Sequence, residues 1–75
     1  LDCSFNRLVH LPASIGRLKQ LRMLSLADNQ LSSLPTSFGN LRRLRVLDLS
    51  HNKFTEVPEC LARIPKMTAL LLANN

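Results

Sequence analysis

The chain has 75 residues, ten Lys or Arg against five Asp or Glu for a formal net charge of +5, with 45% hydrophobic and only 4% aromatic residues. That is enough for one small unit, since single domains usually run to about 100 residues or more and a globule this size buries only about 60% of the surface its unfolded chain exposes. The longest apolar run, Ala69 to Ala73, is strand-sized rather than a membrane span, and the opening Leu1-Asp2-Cys3-Ser4-Phe5-Asn6 lacks the basic start and apolar stretch of a signal peptide.

Taken in chain order, the predicted elements repeat. The chain opens on a strand-like stretch that ends at Asn6, passes Leu8 and Leu11-Pro12, and reaches Ile15-Gly16 before Leu18 and Leu21 lead into the next stretch. Leu24 and Leu26 then lead to Asn29, Leu31, Leu34-Pro35, Phe38-Gly39, Leu41 and Leu44. Leu47 and Leu49 lead to Asn52, Phe54, Val57-Pro58, Leu61-Ala62, Ile64 and Met67, and Leu70 and Leu72 lead to Asn75. Every column advances by 23 residues, as Asn6, Asn29, Asn52 and Asn75 show most plainly. The spacing divides the chain into a partial unit over 1–17, full units over 18–40 and 41–63, and a partial unit over 64–75. Neither end carries the polar cap that repeat arrays normally have, which predicts bare leucine rings open to self-association.

Elementary chemistry gives each column a task. In Met23 to Ala27 and Val46 to Ser50 the leucines alternate with other residues, a period of 2 that sends one face inward. The chain must turn sharply after each strand, leaving backbone groups that are costly to bury unpaired. An Asn amide offers two donors and an acceptor, so Asn6, Asn29, Asn52 and Asn75 are predicted to form a buried structural column. Proline holds the residue before it extended, and Gly16 and Gly39 suit tight turning on the outer side. Ala62 replaces that glycine in the third unit, which predicts a more helical outer turn there, and Pro65 is a second local departure.

The unit L-x-x-L-x-x-L-x-L-x-x-N-x-L-x-x-L-P-x-x-I-G-x resembles the leucine-rich repeat along the whole chain. The 23-residue form is similar to the intracellular repeats of the Ras-suppressor group, Scribble, Erbin and the plant Ras-group-related proteins. The resemblance implies an α/β solenoid, a horseshoe segment with a parallel β-sheet on the concave face and short turns, 3-10 or α-helical segments on the convex face. It also implies a scaffold that binds a partner protein and has no reaction of its own. The alternative it allows is a regulatory or substrate-docking region of a larger signalling enzyme such as a kinase, GTPase, phosphatase or ubiquitin ligase.

With the inward columns assigned to the core, binding falls to strand residues that face out. These form ladders: Met23, Val46, Ala69; Asp2, Ser25, Asp48, Leu71; Ser4, Ala27, Ser50, Ala73; and, at the strand ends, Phe5, Asp28, His51, Asn74. The expected partner surface is Met23, Ser25, Val46, Asp48, Ser50, His51, Ala69 and Leu71, a floor of mostly short side chains suited to a protein better than to a small molecule. Eight of the ten cations lie in the segments that lead into strands. Among them Arg22, Arg42, Arg43, Arg45 and Lys66 are expected to align as one basic rim that steers an acidic partner.

Other chemistries find little support. Two of the three phenylalanines, Phe38 and Phe54, fall in core columns, which leaves no stacking platform for nucleic acid despite a sequence pI near 10.3. Asp48, Ser50 and His51 lie side by side along one strand and its end, so no acid-oriented base with an oxyanion site is implied. His10, His51, Cys3 and Cys60 stand in different columns, and no metal or other cofactor is expected. Cys3 and Cys60 are two turns apart, about 10 Å of strand stacking against the roughly 7 Å limit for a disulfide. Both are expected to be free thiols, which suits a reducing, cytoplasmic setting.

Overall fold

The computed structural model describes residues 1–75. Three parallel strands, β1 (Met23–Ser25), β2 (Val46–Asp48) and β3 (Ala69–Leu71), lie side by side in chain order. Met23 pairs with Val46 and Val46 with Ala69, while Leu24, Leu47 and Leu70 form the neighbouring rung. The step of 23 in sequence is therefore one full turn of a solenoid, and Asp2 extends the sheet by a bridge to Ser25. The strands are shorter than the alternation predicts. Backbone pairing nevertheless continues beyond them, with the Leu26 N–H donating to the Asp48 carbonyl at 2.8 Å and the Asp28 N–H to that of Ser50 at 3.0 Å.

The return path of each turn carries a five-residue 3-10 helix, at Ala13–Arg17, Thr36–Asn40 and Glu59–Arg63. Proline sets each one up. Pro12, Pro35 and Pro58 sit at the N-caps with φ of −69°, −64° and −60°, and each carbonyl accepts the N–H three residues on. Ala62 does not make the third turn more helical; it is a 3-10 helix of the same length as the others. Pro65 does leave a mark. Leu18 and Leu41 have ψ near 60° (61° and 63°), whereas Ile64, held extended by the following proline, has φ −102° and ψ 92°. The N–H bonds of Lys19 to the Arg17 carbonyl and of Arg42 to the Asn40 carbonyl, both 2.9 Å, have no counterpart there because Pro65 has no N–H.

The outer glycines are needed for closeness rather than for turning, since no glycine has a positive φ. A methyl on Gly16 would lie 2.5 Å from the Ser37 carbonyl oxygen and 2.8 Å from Ser37 Cβ on the next turn. The Ser37 hydroxyl fastens that approach by donating to the Ala13 carbonyl at 2.7 Å. At Gly39 a methyl would meet the Arg63 side chain, at 2.9 Å from Cδ and 3.2 Å from Cβ, and the Cys60 carbonyl oxygen at 3.2 Å, contacts less close than those at Gly16.

Inside the coil, Leu24, Leu26, Leu31, Phe38, Leu41, Leu44, Leu47 and Leu49 are fully buried, with Phe54, Leu61 and Ile64 packed against them. The columns weaken outward from this centre. Leu18 is 43% exposed and Val57, in the column of Leu11 and Leu34, is 57% exposed, so that column covers the core only in part.

The asparagine column is buried only where a turn flanks it on both sides. Asn29 and Asn52 are 7% and 8% exposed, while Asn6 and Asn75 are open to solvent, a correction to the uniform column expected. The Asn52 amide nitrogen donates to the Leu26 carbonyl of the preceding turn at 2.9 Å and to Leu49 of its own at 3.0 Å, and its oxygen accepts the Leu31 N–H at 3.0 Å. Asn29 bridges likewise to Cys3 and Leu26, and accepts from the N–H groups of Asn6 and Leu8. No buried side-chain polar atom lacks a partner.

Two expectations follow for stability. Asn52→Ala strands backbone groups on two turns and lowers unfolding free energy by about 1–3 kcal/mol for each group left unpaired, measurable by urea titration. Gly16→Ala costs about 1–3 kcal/mol as an overpacked contact against backbone, and Gly39→Ala costs less; equal effects in the two glycine variants would disprove the role given to Ser37.

Candidate functional site

The outward residues of the sheet and the segments that enter it form the candidate surface. Met23 is 63% and Leu71 47% exposed, while Val46 and Ala69 are half-buried between them. Together with Leu1, Asp2, Ser25 and Asp48, these residues except Ala69 surround a shallow apolar concavity of about 390 Å³. Leu1 was not among the expected surface residues, and Asp2 stood on an outward-facing ladder without being named as partner surface. Their place in the register of Leu24 and Ser25 was the available signal, since Asp2 bridges Ser25 and the Leu1 amino group donates to the Met23 carbonyl. Ala27, on the third ladder, is buried at 8% exposure and adds nothing to the floor, whereas Ser50 beside it is half-buried.

The acids of the floor are used locally. Asp48 accepts the Ser50 N–H at 2.9 Å, and Asp2 accepts both the hydroxyl and the N–H of Ser4. The Ser4 hydroxyl, then its N–H, holds the Asp2 carboxyl below the usual carboxylate value. The imidazole of His51 lies 3.4 Å from the Asn74 amide nitrogen rather than against Asp48, so the three residues form no relay. The structure gathers no group of three metal-ligating side chains, and no helix is long and apolar enough to cross a membrane. Cys3 and Cys60 are unpaired, and burial pushes the Cys60 thiol up.

The basic rim lines two recesses that meet at Arg43. Arg22, Arg43, Arg45 and Lys66 surround a recess of about 270 Å³ with no apolar wall, while Arg42 turns to the other side of Arg43, where it shares a recess with Lys19, Gln20 and Asn40. Arg17 and Arg63 close 3-10 helices and belong to the convex half. The backbone explains the inner cluster. The Arg22 carbonyl accepts the N–H groups of Arg45 and Val46, and the Arg45 carbonyl those of Thr68 and Ala69, so positions 22, 45 and 68 stack at the sheet's entrance. Arg43 and Lys66 occupy the column headed by Gln20, whose amide oxygen accepts from the Arg43 guanidinium at 2.6 Å.

At the opposite ends of the strands sits a row that sequence reasoning located without seeing its conformation. Phe5, Asp28, His51 and Asn74 all have φ between 57° and 59°. Asp, Asn and His tolerate this left-handed region and are enriched in it; their presence just before each structural asparagine was the signal. Phe5 is the exception, a bulky residue held at φ 59° and 77% exposed.

The family model for leucine rich repeats matches residues 1–54 and 34–75. Among solved structures, a leucine-rich-repeat protein of Leptospira interrogans superposes with a TM-score of 0.86 at 38% identity, over 93% of this chain. The chain spans 18% of that protein's length. No curated protein sequence matches it.

Because Phe5 gains little burial and sits in the left-handed region, disfavoured by about 1–2 kcal/mol for most residues with a Cβ but visited more readily by Asn, Phe5→Asn is expected to raise stability by about 1 kcal/mol in chemical denaturation. A loss of stability instead would mean that the ring makes a contact outweighing its backbone strain.

Proposed function

This chain belongs to the leucine-rich-repeat family, and we propose that within it the chain is a protein-binding scaffold of the 23-residue intracellular subtype, working in a reducing, cytoplasmic compartment. The partner lies against the concave floor, on Met23, Ser25, Val46, Asp48, Ser50, His51, Ala69 and Leu71, and the basic edge of Arg22, Arg42, Arg43, Arg45 and Lys66 favours its approach. The carrying observation is the apolar patch of exposed Met23 and Leu71 with half-buried Val46, on a sheet whose other face packs on the core. An apolar patch that survives on a small, charged surface marks a place where another molecule sits. The shallowness of the concavity suits a protein surface, because small ligands need a pocket that encloses most of their area. The two unpaired thiols support the compartment.

A photo-crosslinking residue placed at Met23 or Ser25 is expected to capture a discrete protein partner in cells, and one placed at Thr36 or Glu59 on the convex side is expected not to. With that partner purified, Met23→Lys accelerates dissociation, as contacts central to an interface set its lifetime. Charge reversal at Arg42 instead slows association, and this defect fades as salt shortens the Debye length from about 10 Å at 0.1 M to about 3 Å at 1 M. Capture from the convex positions alone would place the interface on the wrong face.

A further inference from the structure

The cations at the sheet's entrance are built for contact as well as attraction. We propose that Arg22, Arg43, Arg45 and Lys66 form a cradle for a run of carboxylates in the partner, and that an aliphatic or aromatic side chain adjoining those carboxylates seats on Met23, Val46 and Leu71. The inference rests on the floor being a protein-binding surface and names the kind of segment it takes: an acidic stretch interrupted by an apolar residue.

Three observations carry it. First, the four cations converge from three successive turns on one recess of about 270 Å³, and its position is fixed by backbone hydrogen bonds from Arg45 and Val46 to Arg22 and from Thr68 and Ala69 to Arg45. Side chains held at strand-stacking intervals of about 4.8 Å repel one another, a repulsion that an anion placed among them relieves. Second, the cluster has no carboxylate in its own lining. The segments 17–22, 40–45 and 63–68 contain no Asp or Glu, and within the cluster Arg43 is the side chain with a hydrogen bond, to the neutral Gln20. The guanidinium forks of Arg22 and Arg45 remain free for carboxylates, to which arginine bonds in a paired, planar geometry.

Third, cradle and apolar concavity follow one another along the chain, because Arg22 precedes Met23 and Arg45 precedes Val46. In an extended peptide, alternate side chains face the same way about 6.6 Å apart, so one residue reaches the cradle while its neighbour but one reaches the concavity. The far border of the concavity carries Asp2 and Asp48. Those carboxylates disfavour acidic residues there, so the segment is held with its acidic part over the cradle and not the reverse.

The test uses fluorescein-labelled 12-residue peptides on the purified chain, followed by anisotropy. One probe joins three glutamates to a leucine; the controls replace the glutamates by glutamine, or the leucine by serine, or the glutamates by phosphoserine. The glutamate–leucine peptide is expected to bind, and either the glutamine or the serine replacement to weaken it by about tenfold. Arg43→Gln with Arg45→Gln weakens the same peptide by a similar factor and speeds its dissociation, while the melting temperature stays unchanged because both side chains are exposed. Should that pair lower the melting temperature, Arg22→Gln with Lys66→Gln gives the same reading. Equal binding of the serine control would show attraction without a seat and overturn the proposal, as would equal binding of the glutamine control. Binding of the phosphoserine peptide far above the glutamate peptide would make a phosphorylated segment the occupant and overturn it too. If no peptide binds while crosslinks from Met23 still form, the cradle is wrong and the binding surface stands; if the crosslinks also fail, both fall.

Discussion

Everything in this fold depends on how a tightly wound coil satisfies the backbone groups that its turns leave inside. Each turn ends its strand in a left-handed residue and then reverses, so carbonyls at positions such as Leu26 and Leu49 point inward with no strand partner. The amide of the following asparagine takes them up, and it does so for two turns at once: Asn52 bonds Leu49 of its own turn and Leu26 of the one before. The same side chain then accepts the Leu31 N–H. Solenoid stability is nearest-neighbour in character, and here the neighbour term is partly a hydrogen bond that specifies register as well as a leucine ring that does not. A slip by two residues would keep leucines near leucines but would leave the amide facing the wrong groups.

This explains why so much of the architecture was legible in the residues. A column that must both pack and bond accepts few residue types, so Asn29 and Asn52, Leu26 and Leu49, and Pro35 and Pro58 announce themselves by recurrence. Features decided by a single contact were less legible. Gly16 reads as a turning residue until its distance to Ser37 shows that it is a place where two turns nearly touch. Ala62 invited a helical reading because alanine favours helices, yet Pro58 and Pro65 bracket the segment and dictate its geometry first. The rim was visible as a charge pattern, but whether long side chains from adjacent columns converge or diverge is not encoded in spacing. Arg42 and Arg43 are consecutive and share one recess, yet only Arg43 also lines the recess of Arg22, Arg45 and Lys66.

The floor shows the other side of strict repetition. In-register parallel stacking places equivalent residues of successive turns beside one another, so a property that recurs becomes a strip and one that varies becomes a border. Arg22 and Arg45 share a column that turns to Thr68, and Asp2, Ser25 and Asp48 share one that ends in Leu71. The basic recess and the apolar concavity are thus products of small departures from repetition. A binding surface of this kind changes by substitution within a column, with no loop to remodel and no effect on the rungs behind it.

The missing methyl at Gly16 also bears on the shape of that surface. In any stacked coil the spacing of the strands is nearly fixed by their hydrogen bonds, so the bend of the whole depends on how widely the opposite side is spread. Letting the 3-10 helices of the first two turns approach until Ser37 touches Gly16 shortens the outer arc relative to the inner one. The arc opens, and its inner wall becomes closer to a plane. One absent carbon on the far side of the molecule thereby bears on the curvature that a docked surface meets between the first two turns.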